Sequence, residues 1–73
     1  MPTQIVMDHT GDTRHVFDAN DVEALAKAEE RFKSLVGKGS TPAVRGPAGE
    51  VRITRSFDPT AQETLFYPRL VGG

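Results

Sequence analysis

Hydrophobic and polar positions change period several times along this chain, and the changes divide it into elements. Gln4 to Asp8 is a short run carrying β-branched Ile5 and Val6, and Thr13 to Phe17 is a second. Between them lies His9-Thr10-Gly11-Asp12. A Gly-Asp pair between two short apolar runs predicts a hairpin, because Gly takes the positive φ of a tight turn without a Cβ penalty.

The period then lengthens. Val22, Leu25, Ala28, Phe32, Leu35 and Val36 recur at three- and four-residue steps, which places them on one stripe of a helix. Asp18 is the expected N-cap, with Phe17 and Val22 at the positions of a hydrophobic staple; Asn20 with Glu23 is the alternative. Glu23 with Lys27 and Glu29 with Lys33 form i,i+4 pairs in the favourable order on the wet side, and Gly37 and Gly39 end the helix.

After Pro42 the period becomes two. Ala43-Val44-Arg45 reads as a short strand turned by Gly46-Pro47-Ala48-Gly49. Val51, Ile53, Arg55 and Phe57 then alternate with Arg52, Thr54 and Ser56, the clearest strand pattern in the chain. Asp58-Pro59 ends it, and Glu63 to Tyr67 is a last strand closed by Pro68.

The resulting order, β-β-α-β-β-β, puts one amphipathic helix beside a mixed sheet of four or five strands. Such a helix buries its stripe against one face of that sheet. This is the α+β, β-grasp arrangement, expected as a single domain over residues 1–68 with an extended tail over 69–73. A ferredoxin-like or other two-layer sandwich is the main competitor; a complete ferredoxin-like unit requires two helices, and the pattern shows one.

Composition narrows the function. The chain has 73 residues, 37% apolar, with four Phe, one Tyr and no Trp. A domain of that size rarely encloses a pocket, which points away from an enzyme. The absence of cysteine excludes a disulfide scaffold, a thiolate nucleophile and a cysteine zinc site. Ile5-Val6-Met7 is too short for a signal-peptide core and no apolar run approaches a membrane span, so a cytoplasmic protein with no membrane partner is expected.

Net charge is −1, which argues against a nucleic-acid partner. Its distribution is uneven: residues 1–36 hold four Lys/Arg and seven Asp/Glu, residues 37–73 five and three. Arg45, Arg52, Arg55 and Arg69 fall in the basic half, where they read either as a phosphate-facing patch or, more simply, as the solvated face of a strand. His9 and His15 across the predicted hairpin are two ligands short of a metal site unless Asp8 or Asp12 joins them, and surface histidines are the simpler reading. Asp8 with Asp12 imitates a paired-carboxylate site, yet turn formation accounts for both.

The two ends carry a resemblance. Gln4-Ile5-Val6 followed by Thr10-Gly11-Asp12-Thr13 looks like the opening hairpin of ubiquitin-like proteins. Phe66-Tyr67-Pro68-Arg69-Leu70-Val71-Gly72-Gly73 is similar to the ends of the small sulfur carriers of the ThiS and MoaD type, with a strand, a proline, an extended apolar stretch and Gly-Gly. The likeness spans most of the chain in layout and the last eight residues in sequence. The approach to the final strand, Phe57 to Glu63, departs from the acidic-glycine turn usual there. Its Phe-Asp-Pro element and Gly-Gly ending also resemble those of a group of short bacterial proteins.

The resemblance implies a carrier or modifier activated at its C terminus. An adenylating enzyme of the E1-like, ThiF/MoeB type draws such a tail through a narrow channel to the α-phosphate of ATP, and glycine passes where a Cβ does not. The Gly73 carboxylate then becomes an acyl adenylate, open to attack by a sulfur donor or by an enzyme cysteine and then a lysine. ATP belongs to the partner, and the carrier itself binds no cofactor and no metal. Gly72 and Gly73 are the implied activation site, Arg69, Leu70 and Val71 the partner-contacting arm, and a JAB-type peptidase a further implied partner. The alternative is a small structural or interaction domain of a larger assembly, with an incidental tail, that binds a partner by strand addition at the exposed strand face of Arg52, Thr54 and Ser56 or at an edge strand.

Overall fold

A computed structural model describes residues 1–69 of the chain. The elements run β1 (Thr3–Asp8), β2 (Gly11–Val16), α1 (Val22–Gly37), β3 (Thr41–Arg45), β4 (Val51–Ile53) and β5 (Glu63–Tyr67). The five strands form one mixed sheet in the order β2-β1-β5-β3-β4. β1 and β5 lie parallel near its middle, Thr3 opposite Glu63 and Val6 opposite Phe66, and every other pairing is antiparallel. The protein is thus α+β, with one helix on one face of a five-stranded mixed sheet.

The hairpin closes on Asp8 opposite Gly11, leaving His9-Thr10 as the loop rather than Gly11-Asp12. Gly11 takes φ +132°, so the glycine is needed at the loop's exit. The Asp8 carboxylate holds the loop by accepting from both the Thr10 N–H (2.7 Å) and the Thr10 hydroxyl (2.6 Å).

The helix begins later than its sequence signals suggest. Asp21 is the N-cap, its Oδ1 accepting from the N–H groups of Glu23 (3.0 Å) and Ala24 (3.4 Å). Asp18 is occupied one turn earlier, accepting from the Asn20 N–H (2.9 Å) in a local turn. Val22 becomes the first helical residue and faces solvent, 80% exposed, so the expected staple with Phe17 does not form. Only Ala28 and Phe32 of the stripe are buried; Leu25 and Leu35 are half-buried and Val36 is exposed. The Glu23–Lys27 and Glu29–Lys33 pairs are not within ion-pair distance; among the described residues the ion pair formed is Arg45 Nε to Glu63 Oε1 (3.4 Å).

The helix ends in a Schellman motif: the Ser40 N–H donates to the Leu35 carbonyl and the Gly39 N–H to the Val36 carbonyl, with Gly39 at φ +101°.

Strand alternation assigns the faces. Phe66 meets Phe32 of the helix edge-on at 5.7 Å, and Gln4 donates to the carbonyl of Ala28. Gln4, Val6, Thr64 and Phe66 therefore line the helix side, with His15, Pro42 and Val44 in register beside them. Phe57 completes the layer, lying 5.9 Å from the Phe32 ring and 6.3 Å from the Phe17 ring. Each such contact adds roughly 0.5–1.5 kcal/mol beyond burial.

Phe57 reaches this position because β4 stops at Ile53 instead of continuing through Arg55 and Phe57. Thr54 Oγ1 donates to the Ser56 carbonyl (2.9 Å) and turns the chain inward. Pro42 is tolerated inside β3 because its carbonyl points to β4, accepting from Thr54 beyond the last paired residue, Ile53.

Candidate functional site

On the helix-free face one apolar row crosses the sheet in register, Ile5, Leu65, Ala43 and Ile53. Its first three members are buried, while Ile53 is 74% exposed. Around Ile53 lies an open groove of about 450 Å³ lined by Ala43, Val51, Ile53, Tyr67, Pro68 and Arg69. Its lining is predominantly apolar. Sequence alternation placed Val51 and Ile53 together but gave the exposed side to Arg52. In fact Arg52 lies in register with Val44 on the helix side, and the apolar pair faces solvent.

The groove lies at the end of β5. β5 delivers Tyr67, and Pro68 and Arg69 continue along the groove. The Arg69 side chain packs on the helix exit: a Cβ added to Gly39 would lie 2.9 Å from Arg69 Cδ. The rest of the expected arm, Leu70 and Val71, and the expected activation residues Gly72 and Gly73 lie outside the described residues.

The remaining sequence candidates are not brought together. Asp8 and Asp12 stand on opposite faces of the hairpin, since Asp8 follows the parity of Gln4 and Asp12 pairs with Met7, so no carboxylate pair forms. The Asp8 carboxyl is held below its ordinary value by the Thr10 hydroxyl and then the Thr10 N–H. Asp58 repeats this with Thr60, accepting from its hydroxyl (2.6 Å) and N–H (2.9 Å), and is lowered for the same reasons. Both are turn-formers.

His9 lies in the hairpin loop and His15 on the helix side of β2, opposite Gln4. Among the described residues no three His, Asp or Glu side chains are grouped to hold a metal. The arginines also part company: Arg45 pairs with Glu63 on the helix-free side, Arg52 lies on the helix side and Arg69 on Gly39.

Sequence reasoning missed a polar network in the core. Gln4 is fully buried; its Nε2 donates to the Ala28 carbonyl (2.9 Å) and its Oε1 accepts from Arg31 Nη1 (2.8 Å). His15, beside Gln4, shares a second, smaller groove with Arg31 and Lys38 between β2 and the helix. Burial, and secondarily the Arg31 guanidinium, lower the His15 pKa below 6.5. An isolated glutamine in a β-branched run carries no signal that it will be buried.

No protein-family model matches the chain, and neither the curated proteins nor the solved structures yield a match. No helix among the described residues is long and apolar enough to cross a membrane.

Proposed function

We propose that the protein is a ubiquitin-like, β-grasp carrier or modifier whose Gly73 carboxylate is activated by an E1-like adenylating enzyme. The observation that carries this reading is the course of β5. It occupies the centre of the sheet, parallel to β1, and runs straight into Pro68 and Arg69 beside an exposed apolar groove. A C-terminal arm leaving a central strand has a rigid base, and the groove at that base gives a partner a surface to grip while the arm enters its active site. The sheet order β2-β1-β5-β3-β4 with a single helix crossing one face supports a β-grasp body, and the tail sequence Leu70-Val71-Gly72-Gly73 supports the chemistry. The partner supplies ATP and the catalytic groups; the carrier supplies a carboxylate and a docking face.

The test is the intact mass of the chain after incubation with an E1-like enzyme, ATP and a sulfide source. Exchange of one oxygen for sulfur, lost on deletion of Gly73 and reduced by Ile53→Glu, is the expected result. An unchanged mass with enzymes of both the ThiF and MoeB types sinks the proposal and leaves the interaction-domain reading, which the exposed groove favours on its own.

A further inference from the structure

The sheet ends in two unlike edges. β4 is three residues long and turns away at Thr54. β2 is six residues, Gly11-Asp12-Thr13-Arg14-His15-Val16, with no proline and no lysine, and among the described residues nothing pairs with its outer side. Natural sheets protect long edges by shortness, proline, bulges or charge, and of these β2 carries only the charges of Asp12 and Arg14, so it stays a template for a strand that matches them.

The backbone of β2 determines which groups that template offers. The Phe17 N–H donates to the Pro2 carbonyl (3.0 Å), so the odd-numbered residues of this strand turn their N–H and C=O groups toward β1. In an antiparallel ladder the intervening residues point the other way. Asp12, Arg14 and Val16 therefore present their backbone donors and acceptors outward. Their side chains share the helix-free face, because Arg14 pairs with Ile5 and Asp12 with Met7. All three are exposed, Val16 by 62%.

We infer that β2 pairs with β2 of a second copy of this chain, antiparallel, about a two-fold axis at Thr13. In that register Asp12 of each chain stands opposite Arg14 of the other as a reciprocally hydrogen-bonded pair, and the outward backbone groups of both are satisfied. Two opposite-charge pairs form directly across the junction, and Thr13 meets its own copy in the non-hydrogen-bonded position, where Thr–Thr pairs are favourable. The strand is thus self-complementary in both charge and hydrogen bonding, which an isologous interface requires.

Other registers lack this match. A two-fold axis at Arg14 sets two guanidinium groups against each other, and one at His15 sets Arg14 against Val16. The charges that discourage random strands at this edge select its own copy. The product is one continuous sheet through two molecules, with both Ile53 grooves at its far ends, remote from the junction. The inference stands whether or not the C-terminal chemistry does.

The experiment uses the full chain and charge reversals at two exposed positions. Analytical ultracentrifugation up to about 1 mM protein is expected to show wild type reaching twice the 7.9 kDa chain mass. Asp12→Arg and Arg14→Asp each turn both cross-junction pairs repulsive and are expected to weaken self-association by about tenfold or more. Equimolar mixing of the two single variants is expected to restore the dimer as a mixed species, and the swapped variant Asp12→Arg/Arg14→Asp to restore it alone. Circular dichroism of each variant reports that the fold is kept. A monomeric wild type, undiminished association of either single variant, or no recovery on mixing or swapping overturns the inference.

Discussion

Gln4 gives the most searching test of how the helix is held on the sheet. Its amide joins the middle of β1 to the helix twice, through the Ala28 carbonyl and the Arg31 guanidinium, at a fully buried position. Gln4→Ala removes a neutral hydrogen bond worth about 1 kcal/mol and one to a charged group worth about 1.5–3 kcal/mol. The charged bond belongs at the low end, because Arg31 is only half-buried and its head can recover water. A cavity is left as well, which brings the expected loss to about 3 kcal/mol. For a domain of this length the whole stability is roughly 4–11 kcal/mol, so the variant loses between about a quarter and three quarters of it.

Gln4→Leu separates the polar contribution from the volume. It keeps the space filled and gains apolar transfer energy, while the Ala28 carbonyl keeps its helical position and Arg31 turns to solvent. The expected loss is about 1 kcal/mol. Gln4→Glu isolates the donor: a carboxylate still accepts from Arg31 but sets an oxygen against the Ala28 carbonyl. Urea unfolding followed by circular dichroism measures all three, with a slope of about 1 kcal/mol per molar urea for a chain this small. A leucine variant as stable as wild type refutes the claim that the network stabilises the fold. A glutamate variant equal to wild type refutes the role of the Ala28 bond.

Two further perturbations probe the surroundings of the two grooves. His15 has a pKa lowered in the folded chain, so between that value and 6.5 the unfolded chain binds more protons and stability rises with pH; below the folded value the penalty is complete. Thermal melts from about pH 8 to about pH 5 should therefore show a smaller loss for His15→Gln than for wild type, and equal losses contradict the assignment. Gly39→Ala forces a Cβ into a φ of +101° and against Arg69 Cδ, with an expected cost of about 1–2 kcal/mol by urea unfolding; a cost near zero would mean that the helix exit relaxes freely.

The sequence was most readable where one local rule decided the outcome. Glu63–Tyr67 appears as a strand with the expected bounds, bracketed by polar residues and Pro68. The helix and its glycine stop follow from period and backbone preference, and the order of elements from those two together. What could not be read depended on partners distant in the chain. Asp18 and Asp21 are equally good caps by type, and the choice turned on Asp18 being engaged by Asn20. Val51 and Phe57 share a period, yet Phe57 leaves the strand to fill space between Phe17 and Phe32, which no local pattern encodes.

The same limit applies to the candidate site. The period-two pattern placed Val51 and Ile53 on one face but could not say that this face lacks a helix. The free edge of β2 became visible only once its backbone directions were known, although the charges at Asp12 and Arg14 were already present in the sequence.

The parallel pairing of β1 with β5 also bears on how the molecule assembles during synthesis. The β1–β2 hairpin and the helix need only near neighbours and can form within microseconds, but an isolated two-stranded hairpin is marginal in water. The sheet joins its halves only when Thr3 meets Glu63, closing nearly the whole chain into one loop at an entropic cost of roughly 3–4 kcal/mol. β5 is also the strand that binds β3, and through it β4. A ribosome-bound chain that lacks β5 therefore has no strand pairing between its two hairpins, which meet only through the helix, and cooperative folding waits until β5 has been made.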